Sequence, residues 1–317
     1  MANVYTGTAT ISDQTGITNL VRTAYDKYVE FALRSEPQWR SVCDKRPVDV
    51  TSPGSSVVFA IHSDLANATT ALTENVDPDA VALSNPSTVS VTLNEYGNAV
   101  LTTEKLALQS LSAIDPAVAD IVAFNMRNSL DSLVSTTANA GTNTLTYAGS
   151  TGTFGGNVNT VTSTTYMTSP AIRKVVAKLR ANSAVPLAQG LYGVMIHPDV
   201  SMDLRAESGA GGWRSPHEYS GSSSIWNGVV GIYEGCFFIE TPRTYSATDG
   251  SSSAKVHRTV VLGKQAIAEA VAREPGVVIG PVTDKLERFR PIGWKGLLGW
   301  SIYRQESIYR IHTSASQ

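Results

Sequence analysis

Two runs of extended-strand character stand out against the helical periodicity elsewhere in the chain: Ser55-Ser-Val-Val-Phe-Ala-Ile-His62 and Thr88-Val-Ser-Val-Thr-Leu-Asn-Glu-Tyr96. The tract between them, Leu72-Thr-Glu-Asn-Val-Asp-Pro-Asp-Ala-Val-Ala-Leu-Ser-Asn-Pro86, is too long and too acidic for a tight hairpin turn. From Val48 to Glu104 there is no lysine and no arginine. The pattern predicts two paired ribbons that project as an arm. An isolated two-stranded ribbon is marginal in water, so such an arm is expected to lie on a neighbouring subunit.

Helical spacing dominates on either side. Ile17, Leu20, Val21, Ala24, Tyr25, Tyr28, Val29 and Ala32 form one stripe that Pro37 ends. Arg40 to Pro47 reads as a basic connector into the arm. After the arm, Asp115 as N-cap and Pro116 at the first helical position open a long helix to about Thr137. Val118, Ile121, Val122, Met126, Leu130, Leu133 and Val134 line its apolar face, with Asp120, Arg127, Asn128 and Asp131 mostly elsewhere. At 1.5 Å per residue it would span roughly 33 Å.

The Gly/Thr/Asn/Ser-rich tract Asn139 to Thr165 reads as a surface loop or hairpin at a domain boundary. Thr168-Ser-Pro170 then caps a helix whose apolar Ile172, Val175, Val176 and Leu179 alternate with Arg173, Lys174, Lys178 and Arg180. A buried strand, Leu191 to His197, leads into a short helix carrying Met202 and Leu204, and Glu207 to Ser224 reads as a flexible loop. Further strands are expected at Ile232 to Glu240, at Arg258 to Leu262 and from Trp294 onward, with a turn at Asp249-Gly250. The class is α+β, without a solenoid or propeller repeat.

Composition narrows the picture. A chain of 317 residues with 42% hydrophobic and 16% charged content can bury a sizeable core, and its formal charge of -2 gives no basic excess for phosphate-driven nucleic-acid binding. Cys43 and Cys236 are far apart without CxxC spacing, so no disulfide framework or thiolate metal site is suggested. The opening Met1-Ala-Asn-Val-Tyr-Thr-Gly7 lacks the regions of a signal peptide, and no run is long enough to span a bilayer. The expectation is a cytoplasmic product with no membrane association.

Reaction chemistry finds little support. There is no GxSxG elbow. Gly263-Lys264 is not a phosphate-binding loop, because Arg258 stands where its first glycine belongs and Gln265 where its hydroxyl belongs. Gly209, Gly211 and Gly212 fail the dinucleotide pattern at Arg214. His197, Asp199 and Asp203 would bring an imidazole and two carboxylates near one ion, but the stronger reading makes Asp199 the N-cap of the next helix. His62 and Asp64 have no third ligand nearby. Glu74, Asp77 and Asp79 lack the calcium-loop pattern and are interrupted by Pro78, which favours a solvated or interface-facing loop. Trp294, Trp300, Tyr303 and Tyr309 fit core packing in strands at least as well as a binding platform. No catalytic, cofactor-binding or metal residue is assigned, and no cofactor is expected.

The order of parts resembles the major capsid proteins of tailed bacteriophages, which share the Hong Kong 97-type fold. The resemblance covers nearly the whole chain and is carried by Leu72-Thr-Glu-Asn-Val-Asp-Pro78, Thr92-Leu-Asn-Glu-Tyr-Gly-Asn98, the long helix after Asp115, Ile196-His-Pro-Asp199 before Asp203-Leu204, Val261-Leu-Gly-Lys-Gln-Ala266 and Gly293-Trp-Lys-Gly296. The sequence looks most like those of siphophages of mycobacteria and related hosts. The resemblance implies an N-terminal arm over 1–45, an extended loop and its base over 46–105, and a peripheral domain over 106–140 with a spine helix at Pro116 to Thr137. It further implies an axial domain over 141–272 and C-terminal strands over 273–317 that complete the peripheral and axial parts.

Such a protein assembles with itself into hexamers and pentamers of an icosahedral shell in the virion, after assembly in the host cytoplasm. Its partners are portal, scaffolding and decoration proteins, and it encloses double-stranded DNA without sequence-specific binding. Some relatives crosslink the extended loop through a lysine, which this loop lacks between Lys45 and Lys105. Others carry a long N-terminal scaffolding extension, whereas here the first amphipathic helix comes early, which implies a separate scaffold. An acidic loop tip of Glu74, Asp77 and Asp79 is expected to meet the basic Lys285, Arg288, Arg290 and Lys295 of a neighbouring subunit. A tubular phage protein and an enzyme with an unrecognised site are the alternatives.

Overall fold

The computed structural model describes residues 36–48, 55–75, 77, 79–109, 114–207, 229–281, 286 and 288–317. The helix expected at Ile17 to Leu33 and nearly all of the loop after Glu207 lie outside them. In chain order the elements are β1 (Asp44–Pro47), β2 (Ser56–Ile61), β3 (Ser87–Thr92), β4 (Asn94–Thr103), α1 (Glu104–Gln109), α2 (Ile114–Asn139), β5 (Thr144–Ala148), β6 (Thr151–Phe154), α3 (Ser169–Ala181) and β7 (Tyr192–Ile196). There follow α4 (Pro198–Ala206), β8 (Val229–Tyr233), β9 (Cys236–Glu240), β10 (Ser246–Ala247), β11 (Val256–Leu262), β12 (Ile267–Ile279), β13 (Phe289–Ile302) and β14 (Ile308–Thr313).

Three sheets result. One has four strands in the order β1-β12-β13-β4; a larger one of eight runs β6-β5-β14-β11-β7-β9-β8, with β10 added on β11; β2 and β3 pair alone. In the larger sheet, side chains alternate between two covered faces. Tyr192, Val194 and Ile196 of β7, with Val261, Tyr309 and Ile311, pack under α3 and α4. Met195, Val260, Leu262 and Ile308 point the other way, against Trp39, Val42 and the end of α2 at Val134 and Ala138. Burial on both faces explains why β7 is apolar throughout rather than alternating. The start of α2 packs instead on the four-stranded sheet, with Val122 and Leu130 against Ile292, Trp294 and Leu298. Thus α2 spans both sheets.

The end of α2 is fastened by β14. The Arg310 guanidinium donates to the carbonyl of Asn139, an acceptor that the helix terminus leaves without an intrahelical partner, and to that of Gly141 just beyond it. Burial lowers its pKa to about 10, which still leaves it charged at neutral pH. At the start, the helix begins at Ile114, upstream of the expected Pro116. A proline fits anywhere in the first turn, where no N–H is needed.

Several expectations need correction. Asp131, placed off the buried face of α2, is 1% exposed, because this helix is covered on more than one side. Ile121, placed on that face, is exposed. Asn139 to Thr165, expected as a surface loop or hairpin, contains the antiparallel β5–β6 hairpin, but it is not confined to the surface: Leu145 and Tyr147 are core residues. Ile232 to Glu240 is a tight hairpin rather than one strand, turning at Glu234 (φ 49) and Gly235 (φ 77), the left-handed pair that a two-residue loop requires. The second arm ribbon divides at Leu93, with β3 in the arm and β4 in the four-stranded sheet. The chain leaves the larger sheet after Leu262, enters the smaller at Ile267 and returns to the larger with β14.

Candidate assembly surface

The arm is rooted on β13. Gly299 lies under β3 so closely that a Cβ there would sit 2.1 Å from the Thr92 carbonyl oxygen, so only glycine permits this crossing. Val91 beside it is fully buried. Phe59 of β2 meets Tyr303 edge-on at 6.1 Å, and the Arg46 guanidinium lies 5.0 Å and 4.4 Å from the two ring centres. Six register pairs, Ser56 with Thr92 through Ile61 with Ser87, zip the ribbon. Beyond them, residues 62–86 form no regular strand among those described, with the Ser63 and Ser84 hydroxyls in contact across the gap. Leu72, Val81 and Leu83 along this stretch are 77%, 75% and 76% exposed.

A second junction fixes the segment that enters β1. The Trp39 N–H donates to Asp131 Oδ1 at 2.6 Å, and Arg243 lies 3.6 Å from the other carboxylate oxygen. Arg40 donates to Glu269 Oε1 at 2.7 Å and to Glu274 Oε2 at 2.9 Å. Burial raises the pKa of both Asp131 and Glu269; the Trp39 N–H and Arg40, respectively, oppose it. These contacts join the incoming chain to α2 and β12.

The residues expected to mediate contacts are placed as follows. Glu74, Asp77 and Asp79 are all exposed in the arm tip. Of the basic group, Lys285 lies outside the described residues. Arg288 is exposed, its carbonyl accepting from the Glu104 N–H and its guanidinium 5.5 Å from the Phe289 ring centre. Arg290, opposite Thr102, is exposed, and Lys295, opposite Gly97, is half-buried. Arg290 and Lys295 are an odd number of positions apart on a continuously paired strand, so they occupy opposite faces of the sheet. Arg290 and Lys295 therefore do not share one patch. Lys295 borders a cleft of about 450 Å³ with Asn98, Val278, Pro281, Pro291 and Trp294.

The chemical candidates resolve structurally. His197, not Asp199, is the N-cap of α4: its Nδ1 accepts the Asp199 N–H at 3.3 Å, with Pro198 in the first helical turn. Asp203 accepts from the Ser316 N–H at 2.9 Å and hydroxyl at 2.5 Å, which takes it away from His197. His62 and Asp64 are exposed beyond the end of β2. The Trp294 indole donates to Asn125 Oδ1 at 3.0 Å from within the core. Trp300 packs on Tyr96 at 5.9 Å, and Tyr309 is buried under α3. Both cysteines are free thiols, and burial pushes Cys236 up to about 12. No helix among the described residues is long and apolar enough to cross a membrane.

The long β12–β13 hairpin, the α2 helix crossing to a second, larger sheet, and the rooted arm define the Hong Kong 97-like fold of phage capsid proteins. Residues 41–304 match the family described as phage capsid protein, and the chain belongs to that family. Among solved structures it is similar to the capsid of Ralstonia phage GP4, with TM-score 0.77 and 13% identity over 98% of this chain and 98% of that one. It is also similar to the capsid of cyanophage P-SCSP1u, with TM-score 0.70 and 12% identity over 95% of each chain. A chain of Mycobacterium phage Che8 matches with TM-score 0.64 and 12% identity over 93% of this chain and 97% of that one. Comparison with curated protein sequences finds no match.

Proposed function

We propose that this capsid protein is the repeating subunit of a closed icosahedral shell, assembling with itself into hexamers and pentamers around double-stranded phage DNA. The observation that carries the reading is the arm: a ribbon fixed at its base by Gly299 and Tyr303 whose distal apolar side chains, Leu72, Val81 and Leu83, are left exposed by the described residues of their own subunit. A neighbouring subunit covers them in the shell. On this reading residues 1–45 and 46–105 are the intersubunit arm and loop. The four-stranded sheet with α2 is the peripheral domain, and the eight-stranded sheet with α3 and α4 is the axial domain. The acidic tip meets the basic Arg288 and Arg290 of a neighbour, and Lys295, on the other face, serves a different contact.

The role is structural, with no turnover of substrate. The protein resides in the virion after assembly in the host cytoplasm, and its other partners are portal, scaffolding and decoration proteins. With no lysine from Val48 to Glu104 to form an isopeptide bond there, shell strength comes from buried interface repeated by symmetry. Electron microscopy of the purified full chain tests this against the tubular alternative. Round closed particles are expected; open tubes overturn the reading. Boiled particles should run as single chains near 33.7 kDa on a denaturing gel, and a ladder resistant to reductant would show covalent linkage instead.

A further inference from the structure

Away from the arm, the end of β7 and the start of β11 bring together three side chains that neither packing nor capping fully uses. β7 and β11 pair antiparallel from Gly193 with Leu262 to Met195 with Val260, and continuing that register sets His257 across from the His197-Pro198-Asp199 turn. His197 Nδ1 is 3.3 Å and His257 Nε2 is 4.0 Å from Asp199 Oδ2. The two imidazole centres are 4.6 Å apart, and one donor atom from each of the three residues lies within 4.8 Å of the others.

His257 is the informative member. It is 1% exposed, yet neither of its ring nitrogens has a hydrogen-bond partner. Native proteins seldom bury an unpaired polar group, because its desolvation goes uncompensated.

We propose that His197, Asp199 and His257 bind a divalent transition-metal ion of the zinc class that staples the N-terminus of α4 to β11. Two imidazole nitrogens and one carboxylate oxygen are the donor set such borderline ions take, whereas calcium and magnesium favour all-oxygen sites. Bonds of ~2.1 Å place tetrahedral ligands ~3.4 Å apart, so the 3.3 Å pair already fits and the wider separations must close by about an ångström. His197 and Asp199 supply that movement, being 17% and 26% exposed in their side chains. The long hydrogen bond from the Asp199 N–H to the His197 ring is what such a rotation gives up. Water completes the fourth position from the open side.

The ammonium of Lys255, 3.9 Å from Asp199 Oδ2 and half exposed, competes with the ion for that carboxylate. Its presence makes a signed prediction available.

The experiment strips the purified full chain with a chelator and titrates it with Co2+, whose visible spectrum reports tetrahedral nitrogen and oxygen coordination. One Co2+ per chain with a tetrahedral band is expected, displaced by Zn2+. Asp199→Asn and His257→Gln should weaken binding by about tenfold or more, and Lys255→Ala should strengthen it. Metal-free thermal melts verify that each variant folds, and if His257→Gln does not, the half-buried Asp199→Asn and exposed Lys255→Ala changes decide the question. A wild-type chain that binds no more Co2+ than Asp199→Asn, or binding indifferent to both Asp199→Asn and Lys255→Ala, overturns the proposal.

Discussion

At the scale of single residues, buried ionisable groups set how the fold responds to acid. His312 on β14 is 5% exposed, with Nδ1 3.2 Å from the Thr146 hydroxyl, and burial, then the nearby Arg310 and Arg258 cations, lower its pKa from 6.5 to about 4 while Asp249 opposes them. An imidazole held neutral in the fold but free to charge when unfolded contributes stability above pH 6.5 that is lost as pH falls toward 4, roughly 3 kcal/mol for this shift. Asp131 and Glu269 act in the opposite sense: their raised values let the fold take up protons sooner, which offsets part of the loss at the acid end. His312→Gln should therefore flatten the fall in melting temperature between pH 6.5 and 4; a variant with the wild-type acid slope would contradict this assignment. None of these three environments was legible in the sequence. Asp131 looks like an ordinary solvated position on an amphipathic helix until Trp39 and Arg243, distant in the chain, close over it.

At the scale of elements, legibility followed how local the causes were. In α3, Ile172, Val175, Val176 and Leu179 are all buried and the four basic residues between them exposed, because helical period and a one-sided core are enough to fix that face. β12 escaped notice for the converse reason. Its Ala268-Glu269-Ala270-Val271-Ala272 run has weak strand propensity and Pro275-Gly276 reads as a breaker. The sheet accommodates them with register shifts around Arg273, and Glu269 is tolerated in a buried strand because Arg40 reaches it. The arm could be read as extended and projecting, but its seat on Gly299 could not, since that depends on a crossing between distant segments. Gly299→Ala should unseat β3 at a cost of about 1–3 kcal/mol and impair assembly, seen as a lower melting temperature and fewer closed particles. Unchanged melting and assembly would mean that the crossing is not needed. For the tip, Glu74→Lys with Asp77→Lys should impair assembly, and adding Arg288→Glu and Arg290→Glu should partly restore it. If the tip changes alone have no effect, its charges are solvated; impairment without rescue places their partner elsewhere.

At the scale of the whole molecule, two sheets share the single helix α2, and the incoming chain and the arm are both clamped to the sheet that α2 starts on. A two-sheet body with a rooted extension that exposes both apolar and acidic side chains is a subunit built to be completed by copies of itself. The sequence carried the order of these parts, but the separation of Arg290 and Lys295 onto opposite faces emerged only from the strand register. The most direct test is electron microscopy of the full chain beside a deletion of residues 72–86, each first checked for folding by circular dichroism. The account predicts closed shells from the full chain and folded but unassembled subunits from the deletion. Normal closed shells from the folded deletion variant would contradict it.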